Sequence, residues 1–187
     1  MPSIHSVTNK RMNPSTCLSL LITISLIFNS HAISPKPTPN LYENVCKNAG
    51  NDNQRCLKLL EANPSIISAK DYPTLCKLFL EMAIDKATKG QNYLKTLMKE
   101  NPSSQAIKQC ATNDYNELVT SFRSSLSELN EDPISANYDA KVAGDGPQAC
   151  EGALAKEKIV KSTLSTMNNN MKFLSVVAYL ATNYLRN

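Results

Sequence analysis

Apolar residues recur at steps of three and four through three long stretches of the chain. From Asp71 to Glu100 the stripe runs Cys76, Phe79, Leu80, Ala83, Ala87, Gly90, Leu94, Leu97 and Met98. From Pro102 to Asn130 it runs Ile107, Ala111, Tyr115, Leu118, Phe122, Leu126 and Leu129. Near the C-terminus it runs Val160, Leu164, Met167, Met171, Leu174, Ala178, Ala181 and Leu185. Lys, Glu, Asn, Thr and Ser fill the opposite faces, so each stretch reads as an amphipathic helix. A helix of about 27 residues spans ~40 Å, too long for a compact α/β unit. A weaker helical stretch lies between Pro133 and Lys156, interrupted by Gly144-Asp-Gly-Pro147, which reads as a strong break.

Proline punctuates these stretches without entering them. Pro64, Pro102 and Pro133 each follow an Asx residue: Asn63, Asn101 and Asp132. An Asx N-cap accepts bonds from the free amides of the first turn, and Pro at the next position lacks an amide that would be orphaned. These three dipeptides therefore read as helix starts. Four helices with short connections give an up-down-up-down four-helix bundle. Leu41 to Ala62 stands apart, with Leu41, Val45, Leu57, Leu59 and Leu60 flanking a polar turn from Lys47 to Gln54. It reads as a small N-terminal helical hairpin, closed by Cys46 and Cys56. No alternating strand pattern and no internal repeat is evident, and the fold class expected is all-α.

The N-terminus follows a different rule. Lys10 and Arg11 precede an apolar run from Cys17 to Phe28, and Ser30-His31-Ala32 has the small-x-small form of a cleavage site. A run of about 12 residues is the length of a signal peptide core, short of the ~20 needed to span a bilayer. Residues 1–32 are therefore expected to be a removed signal peptide and 33–40 a Pro-rich arm, stiff and without core-forming residues. The helical domain then occupies 41–187. This organisation implies a secreted, extracellular protein without a membrane partner once the signal is gone.

Composition narrows the chemistry. The chain has 187 residues and a formal net charge of +4. Losing Lys10 and Arg11 brings the charge near +2, too little to argue for nucleic acid or an anionic membrane. Both histidines, His5 and His31, fall in the leader. Ser-His or Cys-His catalysis and His-ligated zinc are therefore not expected. Asn63 and Asn101 are each followed by Pro-Ser, which blocks glycosylation. No catalytic, cofactor-binding or metal residue is expected. Asp114 with Glu117, and Asp71 with Thr74, read as chance neighbours on solvated helices. Glu151 and Glu157 lack the histidine of a di-iron site. Gly144-Asp-Gly-Pro147 lacks the Lys of a phosphate cradle. Met167 and Met171 read as core, and Asn168-Asn-Asn170 as a solvated face or a contact surface.

Five cysteines lie beyond the leader: Cys46, Cys56, Cys76, Cys110 and Cys150. An exported chain should oxidise them, and an odd number leaves one thiol over, with fifteen arrangements open. By spacing, Cys46 and Cys56 bracket one turn, and Cys110 and Cys150 would fasten the irregular stretch to the bundle. Cys76, on an apolar stripe, reads as a buried free thiol packed as a small hydrophobe.

Several segments taken together resemble the plant invertase and pectin methylesterase inhibitor family. They are Val45-Cys46, Cys56-Leu57 leading to Asn63-Pro64-Ser65, Gln109-Cys110 with Tyr115 and Leu118, Gln148-Ala-Cys150-Glu-Gly-Ala-Leu154, and Leu174 to Leu185. The resemblance implies a four-helix bundle behind a helical hairpin, bridges Cys46–Cys56 and Cys110–Cys150, and Cys76 as the extra thiol. It implies no enzyme but a secreted inhibitor, in the apoplast or the vacuole, that covers the active-site cleft of a plant pectin methylesterase or acid invertase one-to-one. The contact surface it implies lies mainly on residues 103–156. Two departures are visible. The family places a Tyr four positions after its third cysteine, whereas Tyr115 lies five after Cys110, calling for a local bulge or a shifted Tyr. Invertase inhibitors often carry Pro-Lys-Phe, where this chain has Pro133-Ile-Ser135, so pectin methylesterase is the preferred target. A small carrier of apolar ligands is the alternative from another class, and it would need an internal cavity.

Overall fold

The computed structural model describes residues 40–186, so the expected signal peptide and all of the Pro-rich arm but Asn40 lie outside the described residues. The hairpin comprises α1 (Leu41–Lys47), a 3₁₀ turn (Gly50–Asp52) and α2 (Asn53–Glu61), followed by the single-turn α3 (Pro64–Ile67). The bundle comprises α4 (Tyr72–Glu100), α5 (Gln105–Gln109) running through a π turn (Cys110–Asp114) into α6 (Tyr115–Glu128), α7 (Pro133–Val142) with α8 (Asp145–Lys156), and α9 (Ser162–Thr182). No strand occurs among the described residues. The bundle packs as a closed ring, α4 on α6, α6 on α7, α7 on α9 and α9 on α4. Short connections turn each member antiparallel to the one before it.

Sequence chemistry explains most of the boundaries. Asn63 Oδ1 accepts from the Ser65 amide at 3.1 Å, Asp71 Oδ1 from Thr74 at 2.7 Å and Asp132 Oδ1 from Ser135 at 3.1 Å, each with Pro in the first turn. Asn101-Pro102 does not start a helix. Asn101 instead closes α4, its Nδ2 donating to the Leu97 carbonyl at 2.8 Å. The next helix starts three residues later, because Ser104 can do more than Asn101. Its Oγ accepts from Ile107 N at 3.1 Å and donates to Glu157 Oε2 at 2.6 Å, while Glu157 Oε1 takes the Ala106 amide at 2.8 Å. A carboxylate from the end of α8 thus completes the cap of α5.

The Gly144-Asp-Gly-Pro147 segment interrupts less than its composition suggests. Ala143 and Gly144 keep right-handed helical angles, and α8 resumes at Asp145. Pro147 falls in the first turn of α8, where a missing amide leaves no bond unmade. Gly146 is required there for contact: a Cβ would overlap the carbonyl oxygen of Asp114 in the π turn.

The apolar stripes form the core, with Phe79, Leu80, Leu94, Tyr115, Leu118 and Phe122 all fully buried. Val160 departs from its predicted stripe. It is 95% exposed, because α9 begins only at Ser162 after Lys158 turns the chain with φ of 55°. The hairpin is held by the bridge Cys46–Cys56, Cα atoms 5.4 Å apart, and by Asn53 Nδ2 donating to the Cys46 carbonyl at 2.9 Å. It docks by hydrogen bonds onto a tyrosine stack formed by Tyr72 of α4 and Tyr184 beyond α9, 4.2 Å between centroids: the Tyr184 hydroxyl donates to the Asn44 carbonyl at 3.0 Å and accepts from Asn48 Nδ2 at 3.1 Å.

Candidate functional site

The five cysteines among the described residues divide into two bridges and one thiol. Cys110 and Cys150 join the π turn to α8, their Cα atoms 4.8 Å apart. Cys76 is free and fully buried, and burial pushes its thiol up to about 12. A thiol held protonated beneath packed side chains is a poor nucleophile.

The π turn sets where Tyr115 points. The residue in excess between Cys110 and Tyr115 is taken up by wider i→i+5 winding, which brings Tyr115 back onto the core face. Its ring lies against Gly90 of α4, where a Cβ would stand 2.8 Å from Tyr115 Cε1. Its hydroxyl donates to Asn168 Oδ1 at 2.8 Å. Asn168 Nδ2 donates to Glu151 Oε2 at 2.8 Å, and Ser165 Oγ to Glu151 Oε1 at 3.0 Å. Burial, reinforced by the Glu151 carboxylate, raises the Tyr115 hydroxyl above its ordinary range. The group is thus fixed as a donor and stitches α6, α8 and α9 together.

Asn168 corrects the reading of Asn168-Asn-Asn170 as a solvated face. Asn168 is fully buried, whereas Asn169 and Asn170 are exposed. The signal was in the spacing: Asn168 stands four residues after Leu164 and three before Met171, on the apolar stripe itself.

Of the carboxylates noted in the sequence, Asp71, Asp114, Glu151 and Glu157 have structural partners. Asp71 caps α4, and bonds from the Thr74 amide and hydroxyl hold its carboxyl below the ordinary range. Asp114 is buried against Gln109, whose Nε2 lies 3.3 Å from both oxygens, while Glu117 is exposed. Burial raises the Asp114 carboxyl. Cys110, Asp114 and Cys150 gather potential ligand atoms within 4.8 Å, but the two sulfurs are bonded to each other and offer no thiolate.

What the molecule presents outward on α5 to α8 is mostly polar: Gln105, Lys108, Thr112, Asn113, Asn116, Arg123 and Gln148 are among the exposed residues. Two large side chains interrupt this surface on α7. Ile134 is 65% and Tyr138 64% exposed, one helical turn apart. They flank a hollow of about 250 Å³ that reaches Tyr179 and Arg186. Beneath them Asn137 Nδ2 bonds the Tyr179 carbonyl at 2.8 Å and Thr182 Oγ1 at 2.9 Å, fixing α7 on α9. An exposed aromatic and an exposed aliphatic on a rigid helix are the side-chain types that anchor protein interfaces. Nothing in Pro133-Ile-Ser135 itself signals an exposed anchor; the exposure of Ile134 depends on how α7 rotates against α6 and α9.

A sequence profile described as plant invertase/pectin methylesterase inhibitor matches residues 40–186. Among solved structures, a mutant form A of a pectin methylesterase inhibitor from Arabidopsis superposes with a TM-score of 0.67 at 19% identity, over 78% of this chain and 97% of that one. A pectin methylesterase inhibitor from Arabidopsis thaliana gives 0.58 at 20% identity, over 78% and 96%. At such identities the likeness is one of fold. No curated protein sequence matches the chain.

Proposed function

The chain belongs to the plant invertase/pectin methylesterase inhibitor family, whose members are inhibitors and not enzymes, and on that premise we propose that it inhibits a pectin methylesterase by one-to-one binding over the active-site cleft. The observation that carries the reading is the family match across the whole described bundle. The outward surface of α5 to α8 supports it: a preformed polar face needs little ordering on binding, and Ile134 and Tyr138 supply apolar anchors. The preference over acid invertase rests on α7, which begins Pro133-Ile-Ser135 and offers no Pro-Lys-Phe. The exported form begins after Ala32 and acts in the cell wall. No helix among the described residues is long and apolar enough to cross a membrane.

The test is a titration of the exported protein into purified plant pectin methylesterase and, separately, acid invertase, following activity and co-elution. Loss of esterase activity at an equimolar endpoint is expected. Loss of invertase activity alone would move the assignment to the other enzyme, and an unaffected pair would remove the inhibitor reading.

A further inference from the structure

On the side formed by α2, α4 and α9 the molecule has a solvent-open groove of about 660 Å³, with no lining residue from α5–α8. Its floor is apolar, formed by Leu59, Met167, Met171 and Leu174, with Gly90 beside them. Its rim is cationic. Arg55 and Lys58 stand on α2, Lys86 and Lys89 on α4, and no carboxylate among the described residues lines it.

These cations are differently engaged. Arg55 is fixed as a wall, with its guanidinium 3.9 Å over the Phe173 ring and donating to Asn170 Oδ1 at 3.0 Å. Lys89 shares Asp85 in an exposed pair, which holds it weakly. Lys58 and Lys86 have no ion-pair partner among the described residues. Tyr93, 39% exposed, adds a ring face to the lining. The lining therefore asks for two things in one ligand: several negative charges, and apolar faces that can lie on a ring and a floor of methylenes. A chain of sugar acids has both, carboxylates at intervals and C–H faces between them.

We propose that this groove binds a short stretch of acidic polysaccharide, with uronate carboxylates on Lys58, Lys86 and Lys89 and ring C–H faces on Tyr93 and the floor. The proposal rests on the reading that the target is a pectin methylesterase, because removing methyl esters from pectin leaves that carboxylate-bearing polymer. An inhibitor held there keeps α5–α8 free while it sits where the enzyme has already worked.

The experiment is calorimetric titration of the exported protein with a size-defined, fully de-esterified oligogalacturonate, its fully methyl-esterified counterpart, and poly-glutamate of similar length. The de-esterified oligomer is expected to bind, and the esterified one to bind roughly tenfold more weakly. Affinity should fall at about 0.5 M salt, where screening shortens to ~4 Å. The variant Lys58→Glu/Lys86→Glu should lose binding by roughly tenfold or more while keeping its thermal melt and its inhibition of the esterase. An oligouronate that does not bind, that binds the variant equally, or that poly-glutamate matches would overturn the groove assignment. Inhibition by the unaltered protein is read in a separate assay, so failure of the inhibitor reading is recognised independently.

Discussion

The Tyr115 hydroxyl and the Asn168 carboxamide, 53 positions apart in sequence, meet at 2.8 Å inside the bundle, and Asn168 passes the connection on to Glu151. Replacing Asn168 with Leu strands a buried hydroxyl and takes a donor from Glu151, at an expected cost of ~2–3 kcal/mol. Tyr115→Phe leaves Asn168 with Glu151 and should cost ~1 kcal/mol. Urea unfolding of both singles and the double should give a total at least ~0.5 kcal/mol short of additive. Strict additivity would mean that the two groups do not act as a unit.

Gly146 and Gly152 share α8 and predict opposite outcomes. A methyl at Gly146 runs into the Asp114 carbonyl oxygen, which is backbone and cannot swing away, whereas Gly152 faces open space. Gly146→Ala is expected to destabilise by ~1–3 kcal/mol through forced backbone shifts. Gly152→Ala should stabilise by up to ~1 kcal/mol through helix propensity. Equal effects in thermal unfolding would contradict the close approach of α8 to the π turn.

Two glutamates set opposite pH trends. Bonds from Ser104 and the Ala106 amide hold the Glu157 carboxyl below its unfolded value. Its contribution is present above that unfolded value and is lost as pH falls through the lower folded one. Glu128 is raised by desolvation, by Asp139 and by Asp132, and its Oε2 is enclosed without a partner. Its charge therefore weakens the fold at neutral pH, an effect removed as pH drops through the raised folded value to the unfolded one. Near neutral pH, Glu157→Gln should melt below the unaltered protein and Glu128→Gln above it. Both gaps should close on acidification, and a gap that persists in acid would assign the effect to something other than charge.

Ile134 and Tyr138 lie on the surface proposed to meet the enzyme, so their loss should be felt in binding and not in folding. Ile134→Asp and Tyr138→Ala are each expected to weaken inhibition by roughly tenfold or more, as truncated interface anchors do. Melting temperatures should stay within a degree or two, because both side chains are mostly exposed. Unchanged inhibition constants in both variants would shift the contact away from the start of α7.

The sequence made the bundle legible because its information is local. Stripes with helical steps named the buried faces of α4 and α6, and Asx-Pro dipeptides named the starts of α3 and α7. It misled wherever a distant residue decided the outcome. Ser104 starts α5 instead of Asn101 because Glu157, 53 residues on, completes the cap. Asn168 is buried because Tyr115 and Glu151 receive it. The candidate surfaces were the least legible part. Exposed Ile134 and the cationic groove depend on how α7 and α2 rotate against their neighbours, and no single helical period encodes that.

The π turn between Cys110 and Asp114 has one further consequence. In an uninterrupted α-helix, one added residue swings everything after it by about 100°. Here the surplus is spent within a single loosened coil, pinned by a covalent cross-link on its inner side, and α6 goes on aiming Leu118 and Phe122 at the core. Length and aim are uncoupled at this one place, so the chain could drift by a residue without its interior having to be rebuilt.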